Sequence, residues 1–255
     1  MLIKSTKLML SALLLVIVTG CATQANRDPL EGLNRGVYKF NDVTDKVIMK
    51  PVASAYKAIT PTPVRTGVNN FFNNIGTFIS TINNLLQFKF NNAFSEAGRF
   101  VINSTFGVAG LIDVASKDKI APHKEDFGQT LGYWGVGNGA YLVLPILGPS
   151  SLRDTAGLVV DTYAFDPITY VHRDNHVATH NILRGVQILD KRTELLDATD
   201  LIDNASLDPY AFMRDAYLQR RNNLVADGVE TNKTMNDGFE PAEEDKALEP
   251  LPAEK

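Results

Sequence analysis

Cysteine is almost missing: the 255 residues hold one, Cys21. A lone thiol has no partner within the chain, so a disulfide framework is excluded. A surplus of positive charge is missing too, with 25 Lys and Arg against 29 Asp and Glu. Nucleic-acid binding needs a basic face, and none is available here. No apolar stretch is long enough to cross a bilayer. Leu8 to Val18 falls short of the roughly 20 residues that a spanning helix takes. The catalytic motif G-x-S-x-G does not occur, and the acids and histidines form no ordered nucleophile–base–acid series. Gly135-Val136-Gly137-Asn138-Gly139-Ala140 matches G-x-G-x-x-A, but Tyr141 to Pro145 cannot open the helix that a dinucleotide fingerprint requires. His172, His176 and His180 would share one face if their segment were helical, yet no acid or thiol completes a ligand set. Neither a metal nor a cofactor is expected.

What is present begins at the N-terminus. Lys4 and Lys7 precede the apolar run, the pattern of a secretory signal peptide over residues 1–20. Val18-Thr19-Gly20-Cys21 follows and resembles the bacterial lipobox, which implies a diacylated Cys21 as the mature N-terminus. Two or three acyl chains anchor a protein stably. Ala22 stands where an inner-membrane retention Asp would be, so the same resemblance implies the outer membrane. Residues 21–27 form an acylated linker, 28–227 a helical domain, and 228–255 an acidic tail too poor in large apolar residues to fold.

Within the domain, Asp28-Pro29-Leu30-Glu31 signals a helix start. Leu30, Leu33, Val37, Phe40, Val43 and Val47 recur at helical spacing, predicting a helix to about Met49, before Pro51. Thr62-Pro63 repeats the start signal. On a wheel, Val68, Phe71, Phe72, Ile75, Phe78, Ile79, Ile82, Leu85 and Leu86 fall within an arc of roughly 140°. Asn, Ser, Thr and Gly fill the rest. Asn91 to Phe106 and Val108 to Ala115 continue the theme. From Gly67 to Ile112 the only charges are Lys89, Glu96 and Arg99. A glycine-rich section then leads into a strand-like run, Tyr141 to Leu144, ended by Pro145 and followed by the turn signal Gly148-Pro149. Ser151 with Asp154 reads as a capping box. Ile182, Leu183, Val186 and Leu189 restore helical spacing through Leu196, and Asp208-Pro209 caps a last helix.

An amphipathic helix whose wet face carries amides and hydroxyls but no charge suits a low-dielectric setting. A Lys or Asp at the bilayer centre costs about 2.5–3.5 kcal/mol on the insertion scale. The helix alone fits a soluble core equally well; the acyl anchor tips the reading toward the membrane.

Three strings, "DPLEGLNRGVYKFN", "FGQTLGYWGVGNGAYLVLPILGPSSLRD" and "DPYAFMRDAYLQRR", strongly resemble the MlaA (VacJ) family of outer-membrane lipoproteins. The resemblance implies a mainly α fold: a ring of amphipathic helices embedded in the outer membrane, with a polar passage and a short hairpin-like glycine-rich loop. It implies removal of misplaced phospholipids from the outer leaflet and their hand-off to a periplasmic lipid-binding carrier, beside a trimeric porin, without enzymatic chemistry. On that basis Gly132, Gly135, Gly137, Gly139, Tyr141, Pro145 and Gly148 are expected to border and gate the passage. Phe40 and Asn41 are expected to hold the resting state, and Phe71, Ile75, Phe78 and Ile82 to face lipid. A purely structural lipoprotein and, more weakly, a phospholipase-like enzyme are the competing readings.

Overall fold

The computed structural model describes residues 28–173 and 176–228, leaving aside the side chains of 172, 173 and 203–205. Cys21, the leader and the acidic tail lie outside them.

The first helix is longer than its sequence pattern predicts. Helix α1 (Glu31–Thr44) runs through a π-helical turn (Asp45–Met49) into α2 (Lys50–Ile59). Pro51 does not end it. Proline has no N–H and its ring crowds the preceding turn, but the wider π turn, closed by Lys50 N–H on the Asp45 carbonyl, takes up the misfit. Nor does Asp28 cap the helix. Leu30 occupies the cap position, and the Asp28 carboxylate instead accepts from Asn34 Nδ2 at 2.8 Å and from the Tyr210 hydroxyl.

Helix α3 (Thr62–Leu86) is the longest, and α4 (Phe90–Thr105) packs antiparallel along it. Thr62 is the first residue of α3 rather than its cap, which is Pro61. The helix expected over Val108 to Ala115 does not form. Val108, Ala109 and Gly110 all take positive φ, and only the short α5 (Val114–Lys117) follows. Helix α6 (Phe127–Tyr133) leads to strand β1 (Tyr141–Leu144), paired antiparallel with β2 (Gly148–Ser151) in the register Tyr141↔Ser151 to Leu144↔Gly148. The turn is Pro145-Ile146-Leu147, so Gly148-Pro149 belongs to the strand. Ser151 caps α7 (Leu152–Val160) by accepting from Asp154 N–H at 3.1 Å, as its spacing predicts. A second π turn (Asp161–Phe165), α8 (Pro167–Arg173), α9 (Val177–Glu194), α10 (Leu196–Ala205) and α11 (Pro209–Val225) complete the order. Asp208 caps α11 through Ala211 N–H.

The contacts close on themselves. α1 leads into α2, α2 packs on α9, α9 on α3, α3 on α6, α6 on α11, α11 on β2, and β1 returns to α1. This is a ring of helices shut by a two-stranded clasp. At α6 against α7, a Cβ on Gly157 would stand 2.3 Å from Gly128 N, so only glycine permits that approach. An apolar core is small and local: Tyr141, Val143, Tyr210 and Leu218 cluster under the clasp. Among the described residues no helix is long and apolar enough to cross a membrane.

Candidate functional site

Burial runs the unusual way round. Most residues fully buried in the described structure are polar or charged, while Phe88, Phe90, Phe94, Phe106, Trp134, Ile146 and Leu147 stand in the open. Soluble folds bury apolar side chains and seldom expose broad apolar surface. In α3 the reversal follows the sequence pattern. Asn83 and Asn84 are 0% exposed, whereas Leu85 and Leu86 beside them are 44% and 39% exposed. Phe78 is exposed and stacks on Phe100, with ring centroids 5.6 Å apart; Phe71, Ile75 and Ile82 are half-buried.

Most polar atoms on the buried face of α3 find a partner, the Oδ1 atoms of Asn74 and Asn84 excepted. Asn83 Nδ2 donates to Asp161 at 2.9 Å, and its Oδ1 accepts from Thr130 at 2.8 Å. Ser80 Oγ both donates to the Glu125 carbonyl and accepts from Glu125 N–H, each at 3.1 Å. Gln87 Nε2 donates to Glu125 and to Thr130. A buried polar group left unpaired costs about 1–3 kcal/mol, so each of these contacts fixes where α3 sits.

This polar seam opens into a cavity of about 370 Å³ between α3, α4 and the segment leading to α6. Asn74, Thr77 and Ser80 line it from α3, and Glu96, Arg99 and Asn103 from α4. Glu96 and Arg99 escaped the sequence reading as site residues. Their signal was available, because they are two of the three charges in the nearly uncharged stretch. Glu96 is 1% exposed and Arg99 5%. Lys89, the third, bridges Glu125 at 3.0 Å and Asp227 at 2.6 Å. Asp161 enters the same cavity from the second π turn. Burial pushes its carboxyl up to about 6, against the Phe127 N–H and Asn83 bonds that favour its charge. Burial likewise raises Glu96, opposed by His123 N–H and Arg99.

Beneath the seam, Arg221 of α11 holds two acids at once, Asp126 at 2.6 and 2.8 Å and Asp154 at 2.9 Å. Tyr217 donates to the other oxygen of Asp154 at 2.6 Å. Burial alone would raise both carboxyls. The Arg221 guanidinium and, at Asp154, the Tyr217 hydroxyl outweigh it and hold both below the usual range.

The clasp is held by a second device. Asn34 and Asn41, two helical turns apart, share one face of α1. Asn34 donates to the Tyr141 carbonyl and accepts from Val143 N–H, both at 2.9 Å. Asn41 donates to the Leu144 carbonyl at 2.9 Å and accepts from Ile146 N–H at 2.8 Å. Each amide therefore acts like a stretch of neighbouring strand. Asn34 was not singled out from the sequence, although its seven-residue spacing from Asn41 marks the shared face. Phe40 is exposed and borders an apolar groove of about 490 Å³ with Leu33, Val37 and Pro145.

The glycine-rich segment divides in two. Gly132 lies within α6, where a Cβ would meet Val225 at 2.8 Å and Arg153 at 2.9 Å. Gly135 and Gly137 stand in an open loop, and Gly139 precedes β1 against Leu152. Tyr141 is buried in β1, Pro145 sits at the tip, and Gly148 opens β2 with φ +85°. None of them lines the 370 Å³ cavity; they sit on the clasp side of the ring. The histidines do not share one helical face. His172 belongs to α8, which ends at Arg173, and α9 begins only after His176. Among the described residues no group of three or more His, Cys, Asp or Glu could hold a metal ion.

Comparison with known proteins adds a family. The family model described as MlaA lipoprotein matches residues 26–224. The intermembrane phospholipid transport system lipoprotein MlaA of Escherichia coli K12 is 35% identical over 252 residues, covering 94% of this chain and 97% of its own. The protein of the same name from Haemophilus influenzae is 35% identical, covering 91% and 96%. An uncharacterized protein of Rickettsia prowazekii is 38% identical over 76% of both chains. A solved structure, reported as the structural basis for maintenance of bacterial outer membrane lipid asymmetry, superposes with a TM-score of 0.67 at 36% identity. It covers 78% of this chain and 98% of its own.

Proposed function

The chain belongs to the MlaA lipoprotein family, and on that premise we propose that it withdraws mislocalised phospholipids from the outer leaflet of the outer membrane and passes them to a periplasmic lipid-binding carrier. Support comes first from the reversed burial, with a charged and amide-rich interior inside an apolar exterior. Such a body sits in hydrocarbon and offers a headgroup a polar path while the acyl tails remain outside. No bond is made or broken. Relatives named as transport lipoproteins rather than enzymes accord with this.

In this reading a diacylated Cys21 tethers the chain to the outer membrane, with Phe71, Ile75, Phe78 and Ile82 turned toward lipid. The clasp with its glycine-rich approach, Gly132 to Gly148, regulates opening. Its position away from the polar cavity accords with a gate acting through α1 rather than a wall of the passage. Asn41 holds the clasp tip by two hydrogen bonds, and Phe40 packs its neighbouring groove, so together they favour the resting state. The apolar perimeter is also the surface offered to a trimeric porin.

Deleting the gene tests the proposal. Phospholipid should accumulate in the outer leaflet, and the cells should become sensitive to detergent with EDTA. Unchanged asymmetry would instead favour a structural lipoprotein, and fatty acid released from vesicles by the purified protein would favour a phospholipase. A disulfide engineered across the glycine-rich loop should block lipid transfer; undiminished transfer would remove the gating role.

A further inference from the structure

Two buried carboxylates reach the 370 Å³ cavity with neutral hydrogen-bond partners and no direct ion pair. Glu96 accepts from His123 N–H. Asp161 accepts from Phe127 N–H at 2.8 Å and from the Asn83 amide at 2.9 Å. The other acids on the lining are matched by cations: Asp113 by Arg99, Glu125 by Lys89, Asp126 by Arg221. Buried carboxylates outside a direct ion pair are costly, and burial raises both Glu96 and Asp161, against the pull of Arg99 and Lys124 on the first and of Arg221 on the second.

The same lining holds two unpartnered polar atoms, Asn74 Oδ1 and Arg99 Nε, on side chains 5% exposed. Native interiors rarely leave such atoms unpaired. Asn74 is held in place: its Nδ2 donates to Ser104 at 2.9 Å, and a Cβ on Gly110 would stand 2.7 Å from it. The cavity therefore presents acceptors at Asn74, Glu96 and Asp161, and donors at Arg99 and Lys124.

We propose that this cavity is a headgroup subsite that favours phospholipids carrying a primary ammonium over those with an anionic glycerol headgroup. The proposal rests on the phospholipid-transport reading and adds the headgroup class. An ammonium has three N–H donors and a charge to set against Glu96 and Asp161. Lys124 and the unpartnered Nε of Arg99, whose other nitrogens are held by Asp113, Ser116 and the Ile120 carbonyl, remain for the phosphate. A glycerol headgroup brings the phosphate charge without the ammonium, so the two carboxylates repel it. A cavity of this volume lies within the range that holds small ligands.

Calorimetric titration of the purified full-length protein in detergent tests this. The probes are dihexanoyl phosphatidylethanolamine, dihexanoyl phosphatidylglycerol and free phosphoethanolamine. The ethanolamine lipid should bind roughly ten-fold more tightly than the glycerol lipid, the worth of one charge-assisted hydrogen bond. The double variant Glu96→Gln, Asp161→Asn should bring that ratio near one. A wild-type ratio near one, or one favouring glycerol, overturns the preference and needs no variant to fold. Free phosphoethanolamine binding as tightly as the lipid overturns the assignment to a lipid headgroup. A vesicle-to-carrier transfer assay separates the two readings. Equal transfer of both lipids with no binding preference sinks only the subsite, whereas transfer of neither sinks the transport function.

Discussion

Arg221 shows how much can depend on one side chain in a polar interior. It neutralises Asp126 and Asp154 together; Arg221 and Asp154 are buried and Asp126 is half-buried. Arg221→Ala should destabilise the protein by about 3–5 kcal/mol, since it strands the buried Asp154 and deprives half-buried Asp126 of its partner; thermal unfolding in detergent measures this. Asp161 should set a pH dependence of its own. Its folded-state pKa of about 6 lies above the ordinary value of 3.8, so its contribution is fully present below pH 4 and is lost as pH rises through 6. In Asp161→Asn that fall in stability between about pH 4 and 6 should flatten. Chemical denaturation across this range reads the slope directly, and an unchanged slope would assign the titration elsewhere.

Between elements, the two amide clamps differ in what their loss would cost. Asn34 is buried and also bonded to Asp28, whereas Asn41 is only half-buried and reaches the turn. Asn34→Ala should cost the larger share, about 2–3 kcal/mol, because it leaves β1 backbone groups unpaired under the clasp. Asn41→Ala should instead free the tip locally. Hydrogen exchange should quicken at Ile146 N–H while Val143 N–H stays protected. The α6–α7 crossing is a tighter constraint. Gly157→Ala places a methyl within 2.3 Å of the Gly128 nitrogen, so the helices must separate. A loss of about 1–3 kcal/mol is expected in an unfolding titration, at the usual scale for overpacking.

At the scale of the whole molecule, the reversed burial should outlast loss of the anchor. A Cys21→Ser variant exported to the periplasm should still float with liposomes or bind detergent micelles, because the exposed Phe and Leu side chains carry their own affinity. A freely water-soluble variant would place all membrane affinity in the acyl chains and remove the embedded body from the proposed function. Helix type and chain order were readable because capping and periodicity are local: Ser151 and Asp208 cap as their spacing predicts. The uncharged polar face of α3 was readable in the same way. Pro51 and the Val108–Ala115 stretch misled, since a π turn and a run of positive φ leave no periodic trace.

Sequence by itself determined the helical class, the first strand of the hairpin and the apolar arc of α3, all of which depend on neighbours within a few turns; it placed the hairpin's turn at Gly148-Pro149, which pair as strand. Only the tertiary structure decided which polar groups meet. It brought Glu96, Arg99 and Asp161 to one cavity, joined Arg221 to Asp126 and Asp154, and set Asn34 and Asn41 against the clasp. Those pairings span tens to more than a hundred residues, and hydrogen-bond geometry is fixed by distance in space, which no local pattern records.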